Sequence, residues 1–177
     1  MGWLKFDISE VPNEAVGATA TLRLYCDAPP RIEPEFVDKY APVVAAYHCS
    51  SDSWAEESIT WSNQPSYSPS ILDTQRVYYN DVYHRQPDDW WFSWDVSAVT
   101  QTLNINDDLV TIVVKISSNS EYLPFYSKEN GWSHPQLVMQ WTDIPEFPSF
   151  LVLPIFMTAA LLAVIICKRK YIENGRG

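Results

Sequence analysis

Apolar and polar residues alternate one by one in several segments of this chain, and a period of two is typical of β-strands. The alternation is clearest in residues 4–8, 20–26 and 110–116, where every second residue is Leu, Phe, Ile, Val, Ala or Cys. Successive side chains of a strand point to opposite faces, so each segment predicts one buried and one solvent-facing side. Further strand candidates, separated by clusters of Pro, Asn, Asp and Ser, are residues 43–49, 76–79, 90–96, 123–127 and 136–141.

Long helical stripes do not occur in this part of the chain. Residues 97–103 alone favour a helical turn, with Ser97 as a candidate N-cap and with Val99 and Leu103 four positions apart. A composition with 46% hydrophobic and 14% aromatic residues is rich enough to form a buried core. We therefore predict an all-β fold over residues 1–142, a jelly-roll-like antiparallel β-sandwich.

Residues 150–167 contain no charged side chain and are almost entirely apolar. At a rise of about 1.5 Å per residue they span about 27 Å as a helix, close to the roughly 30 Å of bilayer hydrocarbon. Lys168, Arg169 and Lys170 follow immediately. The sequence therefore predicts a Pro-rich spacer at 143–149, one C-terminal transmembrane helix at 150–167 and a basic cytoplasmic tail at 168–177.

The charge of the chain changes sign across the apolar span. The residues before Phe150 include 8 Lys and Arg against 21 Asp and Glu, a net charge of −13, whereas the residues after Cys167 carry +3. Basic residues stay on the cytoplasmic side, so we expect a single-pass protein of the cell membrane with an extracellular N-terminal domain and a cytoplasmic C-terminus. A surface this negative repels phosphate backbones, so we expect no nucleic acid partner.

The segment after Met1 lacks the basic and then apolar stretches of a secretory signal peptide. An extracellular domain without such a leader has two explanations: the C-terminal helix inserts as a tail anchor, or the chain is the C-terminal piece of a longer protein. We expect the second, because a tail anchor would have to carry the whole N-terminal domain across the membrane.

Pro145, Glu146 and Phe147 lie just before the apolar span. Together with the span and the basic residues after it, they resemble the PEF-type C-terminal sorting signals and anchors of archaeal surface proteins. The resemblance covers residues 144–170. It implies either that a membrane enzyme cuts near the motif and transfers the protein to a lipid, or that the helix stays in the membrane, and the sequence leaves both open.

Three groups of sequence blocks follow one another along the domain: residues 4–9 with 20–25, residues 54–65, and residues 94–97 with 125–129 and 134–137. Their order resembles the disaggregatase-related, DNRLRE-type module of microbial surface proteins, which is similar to alginate-binding carbohydrate modules. The resemblance implies a β-sandwich that binds or displays and has no catalysis of its own. Such modules begin with a strand or two before the first block, so we expect residues 1–142 to lack their first strands.

Trp91, Trp132 and Tyr79 are the candidate ligand-binding residues. If Phe92 and Trp94 point into the core, Trp91 lies on the outer face of the same strand. Trp132 belongs to an Asn-Gly-Trp-Ser segment at 130–133 that is typical of a turn. A flat exposed aromatic ring can stack on the apolar face of a sugar ring.

Other conspicuous residues favour structural roles. Trp61 alternates with Ile59 in a strand pattern, so we expect it to be buried or to anchor a loop. Glu56 and Glu57 are adjacent and would point to opposite faces of a strand, so they cannot flank one bond as catalytic carboxylates do. No Ser, His and Asp grouping and no paired His spacing occurs, and we predict that the protein is not an enzyme.

Cys26 and Cys49 both fall at inward positions of predicted strands. An extracellular location permits a disulfide between them, and two small buried side chains are the alternative. The Asp pairs at 88–89 and 107–108 could supply oxygen ligands to a structural calcium ion, but neither has the spacing of a calcium loop. Solvated turns are their expected role, and we expect no cofactor.

Two functions are consistent with these features. The first is a membrane-anchored, non-catalytic surface module that binds or displays a polysaccharide or cell-envelope glycan, and the second is a structural or adhesive domain that makes protein or lattice contacts. A neutral glycan suits the charge of −13 better than an acidic one, unless Arg76, Arg85 and Lys128 gather on one face or calcium bridges the charges. Any catalytic domain would lie upstream in a longer protein.

Overall fold

The computed structural model describes residues 1–12, 16–80, 82, 89–99, 108–117 and 122–142. Residues 1–142 form one compact unit. The predicted spacer with its PEF motif, the apolar span and the basic tail lie outside the described residues. Among the residues that are described, no helix is long and apolar enough to span a bilayer.

Seven β-strands in the described part of the chain form two antiparallel sheets. The first sheet has the strand order β1-β6-β3-β4, and the second sheet has the order β5-β2-β7. The strands are β1 (Gly2–Asp7), β2 (Val16–Tyr25), β3 (Val43–Cys49), β4 (Ile71–Arg76), β5 (Trp91–Asp95), β6 (Leu109–Ile116) and β7 (Gln136–Thr142). Short 3-10 helices lie at Pro34–Phe36 and Ser97–Val99, and one turn of α-helix, α1, lies at Val37–Tyr40.

The inward faces of the two sheets share one hydrophobic core, which makes the fold a β-sandwich. Alternate residues of β2 and β5 point into it, and Trp94, at 0% exposure, is the largest fully buried side chain. Its indole N–H donates to the carbonyl oxygen of Val44 over 2.9 Å, a hydrogen bond that joins the two sheets. The burial of Leu22, Leu24 and Phe92 confirms the inward register predicted from the alternation.

The outer face of the first sheet is covered by the loop between β3 and β4. Thr111 and Val113 point to this side of β6 and are fully buried. The indole N–H of Trp54 donates to the hydroxyl of Thr111 over 3.0 Å. The Lys5 ammonium donates to the carbonyl oxygens of Asp52 (2.6 Å) and Trp54 (2.5 Å) and lies 4.6 Å from the centre of the Trp54 ring. We call this covered surface the closed face.

The predicted strands agree with the structure to different degrees. β3 spans residues 43–49 as predicted, and β7 extends the predicted strand at 136–141 by one residue. The strand predicted at 76–79 is wrong, because β4 ends at Arg76 and Tyr79 makes only an isolated bridge with Arg31. The strand predicted at 123–127 is reduced to a bridge between Phe125 and Cys26. The helical turn predicted from Ser97 is a 3-10 helix, and residues 100–107 lie outside the described part.

Candidate functional site

The outer face of the second sheet is open to solvent, in contrast to the closed face. Ser93 and Asp95 of β5 and Gln140 of β7 are exposed there, and Val138 has 38% of its surface exposed. We call this surface the open face. Its outward residues are Thr19, Thr21, Arg23 and Tyr25 of β2, Trp91, Ser93 and Asp95 of β5, and Gln136, Val138 and Gln140 of β7.

Aromatic rings cluster at one end of the open face, around Tyr25. Cross-strand pairing puts Tyr25 directly opposite Trp91, and their rings meet edge to face with centres 5.6 Å apart. Tyr126, from the segment that leads to β7, stacks on Tyr25 at 5.1 Å. Such pairs stabilise one another beyond the area they bury, so the cluster holds Trp91 in a defined orientation.

Arg23 adds a charged group to this cluster. It is the diagonal neighbour of Trp91 across the β2–β5 pair, and its guanidinium lies 5.0 Å from the centre of the Trp91 ring. One guanidinium nitrogen also donates to the side-chain oxygen of Gln136 over 3.3 Å. Trp91 is therefore on the outer face as its register predicts, but it is half-buried, because Arg23 lies over its ring.

Two acidic side chains frame the open face. The Asp27 carboxylate accepts a 2.6 Å hydrogen bond from the Tyr126 hydroxyl, which raises the pKa of that tyrosine above its usual value. Asp95 accepts hydrogen bonds from the side chain and backbone of Ser97, which lower the pKa of its carboxyl. Near neutral pH the open face thus presents a neutral tyrosine at its aromatic end and an ionised Asp95 at the other end of β5.

Tyr79 belongs to the rim of the aromatic cluster and not to the open face itself. Its backbone N–H donates to Pro30 and its carbonyl accepts from Ile32, so the segment pairs with the chain before α1. Its half-buried ring lies 5.8 Å from Trp90, and Trp90 lies 6.5 Å from Tyr25. The structure thus brings Tyr79 and Trp91 into one series of contacting rings.

Trp132 lies in a separate place, on the turn between Phe125 and β7. Its side chain is 94% exposed. Trp61 is 79% exposed on the loop between β3 and β4. The expectation that Trp61 is buried or anchors a loop is therefore wrong, because residues 54–65 form turns rather than a strand and the alternation with Ile59 has no sheet face to follow.

Comparison with known proteins adds two observations. The model of carbohydrate-binding module family 96 matches residues 1–141. The chain belongs to this carbohydrate-binding module family. A gellan lyase from a Bacillus species is 33% identical to it over 101 residues, which are 56% of this chain and 4% of that enzyme. The family consists of non-catalytic binding modules, and a match to so small a part of the lyase gives no argument for catalysis here.

The family 96 module shows no metal site where the structure describes it. No group of three or more His, Cys, Asp or Glu side chains in those residues could hold a metal ion. Of the Asp pairs considered as calcium ligands, Asp88 and Asp107 lie outside the described residues, and Asp89 and Asp108 are exposed.

Cys26 and Cys49 are both buried in the module and both carry free thiols. Of the two alternatives considered from the sequence, the structure has two free thiols, and Cys49 donates to the carbonyl oxygens of Ser51 and Ser66, each 3.4 Å away. Burial raises the pKa of Cys26 to about 11 and also raises the pKa of Cys49. Both behave as small buried side chains.

Sequence reasoning missed four residues of the open-face cluster: Arg23, Tyr25, Tyr126 and Gln136. The alternation already placed Arg23 and Tyr25 on the outward side of β2, so their pattern was a usable signal. Tyr126 and Gln136 carried no comparable signal, because their roles depend on contacts with residues about a hundred positions earlier in the chain.

Proposed function

We propose that this family 96 module binds a polysaccharide on the open face and does not catalyse its cleavage. The observation that carries the proposal is the cluster of Trp91, Tyr25 and Arg23 on a sheet face open to solvent. The uncovered part of the Trp91 ring offers an apolar surface to a sugar ring. Arg23 and Gln136 offer a cationic donor and an amide to its hydroxyl groups.

The shape of the site supports an extended ligand. A sheet face is broad, whereas small molecules are held in concave pockets that cover most of their surface. The outward polar residues of β2, β5 and β7 continue the site beyond the aromatic cluster, with Thr21, Ser93 and Gln140 as hydrogen-bonding groups. A chain of several sugar units could contact both parts at once.

We expect the ligand to be a neutral polysaccharide. Arg23 is the single cation among the ten outward residues named for the open face, and Asp95 opposes it with an ionised carboxylate. The residues before Phe150 carry −13 in total, which repels an acidic glycan. Gellan, named by the related lyase, and alginate, suggested by the resemblance to DNRLRE-type modules, are probes that test this preference.

Affinity electrophoresis of the full 177-residue chain tests the binding site. Gels would contain xylan, galactomannan, mixed-linkage β-glucan, gellan or alginate. Trp91→Ala and Arg23→Ala should each weaken binding by about tenfold, because truncating an aromatic or Arg anchor commonly costs more than 1 kcal/mol. Tyr40→Ala, an exposed aromatic on α1, is the matched control and should bind normally. Retardation of the Trp91 and Arg23 variants equal to wild type would refute this site.

The second part of the proposal is that the module is displayed at a cell surface by a C-terminal anchor. Its support is the uncharged span at 150–167, the +3 flank after it and the PEF-type motif before it. The anchor would hold the module close to envelope or matrix polysaccharides, where many weak contacts add up.

Carbonate extraction tests the anchor. The chain, expressed behind a signal peptide with a tag after Gly177, should remain in the membrane pellet. Leu161→Arg with Leu162→Arg should release it, because charges at the centre of a span cost about 2.5 to 3.5 kcal/mol each. Lys170→Ala, outside the span, is the matched control and should stay in the pellet. Recovery of uncut wild type in the soluble fraction would contradict the anchor.

A further inference from the structure

Trp61 and Trp132 are the two most exposed tryptophans of the described chain, at 79% and 94%. Tryptophan is usually well buried, because its ring is the largest apolar surface among the side chains. Neither ring belongs to the open face, and the sandwich core does not use them. Because neither ring stabilises the core, we expect a binding role for both of them.

The loop that presents Trp61 is cross-linked by hydrogen bonds of the Asn63 side chain. The Asn63 side-chain oxygen accepts from the backbone N–H of Thr60 over 2.5 Å, and its amide nitrogen donates to the carbonyl oxygen of Ser58 over 2.8 Å. A further turn hydrogen bond joins the N–H of Ile59 to Ala55. Asn63, after Trp61, is thus bonded to Ser58 and Thr60, before it, and these hydrogen bonds order the turn that carries the ring.

The loop that presents Trp132 is also ordered by hydrogen bonds between an asparagine side chain and the backbone. The side-chain oxygen of Asn130 accepts from the backbone N–H groups of Trp132, at 3.1 Å, and Ser133, at 2.8 Å. The N–H of Asn130 in turn donates to Ser127 over 3.1 Å. Preorganised loops lose little conformational entropy when they bind, so both turns are suited to ligand contact.

The two loops touch each other. Glu56 at the start of the first forms an ion pair with Lys128 in the second, and this contact raises the pKa of Lys128. Both side chains are more than half exposed, so the pair contributes little to stability, but it shows that the loops lie side by side. Glu57 and Glu129 lie near Lys128 and leave the surface acidic.

We propose that residues 55–63 and 127–133 together form a second glycan-binding surface, in which the Trp61 and Trp132 rings each stack on a sugar unit of a neutral polysaccharide. The proposal rests on the glycan-binding function of the module and adds a site separate from the open face. The flanking residues are small or polar: Ser62 and Asn63 beside Trp61, and Gly131 and Ser133 beside Trp132. Protein interfaces have a contiguous apolar centre, which isolated rings among hydroxyl and amide groups do not provide.

Two sites on one module make binding to a long polysaccharide multivalent. Trp61→Ala and Trp132→Ala in the full chain should each weaken affinity for the neutral polysaccharides xylan, galactomannan or mixed-linkage β-glucan by about tenfold. The double variant should be weaker than either. Tyr40→Ala is again the control, and melting temperatures of all variants should stay close to wild type, because the rings contribute nothing to the core.

The two turn-holding asparagines provide a positioning test. Asn63→Ala and Asn130→Ala keep both tryptophans but remove the side-chain hydrogen bonds that order the turns around them. Each should weaken binding by a few-fold, mainly through slower association or faster release of a less ordered loop. Wild-type affinity in both asparagine variants, together with wild-type affinity in both tryptophan variants, would overturn the second surface.

The outcomes separate this inference from the proposed function. If Trp91→Ala weakens binding and the loop variants do not, the second surface is refuted and the open face stands. If the loop variants alone weaken binding, the second surface stands and the open-face site fails. Failure of every polysaccharide to retard the wild-type chain refutes both. Loss of self-association in the Trp61 and Trp132 variants without any effect on glycan binding would assign the rings to protein contact and overturn the proposal.

Discussion

At the scale of single residues, tryptophans of one sequence have opposite environments and therefore different roles. Trp94 has no exposed surface, and its indole N–H is bonded to the opposite sheet. Trp61 is 79% exposed. The difference follows from location: Trp94 lies at an inward position of β5, opposite Leu22 of β2, whereas Trp61 lies on a turn. Residue type alone predicts neither role.

Truncation of these two tryptophans should therefore have unequal effects on stability. Trp94→Ala should lower the free energy of unfolding by about 3 to 5 kcal/mol, because it leaves a large cavity in the core. Trp61→Ala should change it by less than about 0.5 kcal/mol, as exposed substitutions usually do. Urea unfolding followed by circular dichroism measures both. Equal destabilisation by the two variants would contradict the placement of Trp61.

The buried thiols should be unreactive in the folded protein. Burial raises the pKa of Cys26 from 9.0 to about 11 and raises that of Cys49, so at pH 8 both are protonated and poor nucleophiles. With Cys167→Ser as background, Ellman's reagent should react with neither thiol until denaturant is added and then with both. The raised pKa favours the protonated thiol in the fold, so its stabilising effect is complete below pH 9 and declines as pH rises towards 11. Rapid labelling of either thiol without denaturant would contradict their burial.

At the scale of elements, the two sheets differ in what covers their outer faces. The loop after β3 lies on the first sheet, where Lys5 and Trp54 are its main contacts. On the second sheet, Tyr126 stacks on Tyr25 at one end, whereas Ser93, Asp95 and Gln140 remain exposed. A binding site needs solvent access, and among the described residues the outer face of the second sheet has it.

Lys5 should be a stabilising residue of the closed face. Its ammonium donates to two loop carbonyl oxygens and lies over the Trp54 ring. Lys5→Met keeps the apolar stem but leaves both carbonyls without this donor, and it should cost about 1 to 3 kcal/mol. Lys115→Met, an exposed lysine on the neighbouring strand β6, is the matched control and should change stability by less than about 0.5 kcal/mol. Thermal unfolding compares them, and equal melting temperatures would contradict the role of Lys5.

Much of the sandwich could be predicted from the sequence because its strands follow a strict alternation. The inward positions of β2 and β5 were predicted correctly for that reason, and so was the outward register of Trp91. β4 was missed because its sequence, Ile-Leu-Asp-Thr-Gln-Arg, is mostly polar and its pairing with β3 shifts register near Ala46. Alternation therefore predicts strands whose two faces meet different environments and fails where a strand is irregular.

The candidate site was harder to predict than the fold. The contact between Arg23 and Trp91 is a diagonal cross-strand pair, which exists only once the register of β2 on β5 is fixed. The stacking of Tyr126 on Tyr25 joins residues far apart in the chain. Trp61 lies on a turn with side-chain hydrogen bonds of Asn63 that no periodicity indicates. Such features depend on tertiary contacts, and local pattern does not encode them.

At the scale of the whole molecule, an acidic module is combined with an apolar, basic C-terminal segment. The residues before Phe150 carry −13, and the residues after Cys167 carry +3. In the proposed arrangement the module faces outwards and the basic tail faces the anionic inner surface of the membrane. In that arrangement the negative charge would keep the module in solution and would repel an acidic glycan at low salt.

Repulsion between the negative module and acidic glycans predicts how salt changes the binding of different glycans. Binding of the full chain to a neutral polysaccharide should change by less than about twofold between 20 and 300 mM NaCl, because stacking and neutral hydrogen bonds are not screened. Binding to alginate should be weak at low salt and should strengthen as salt shortens the Debye length from roughly 20 Å to below 10 Å. Arg23→Ala should weaken alginate binding further by removing the one cation among the ten outward residues named for the open face. Affinity electrophoresis at several salt concentrations measures this series. Alginate binding that is tight at low salt and lost at high salt would point to a basic site and contradict the assignment of a neutral ligand.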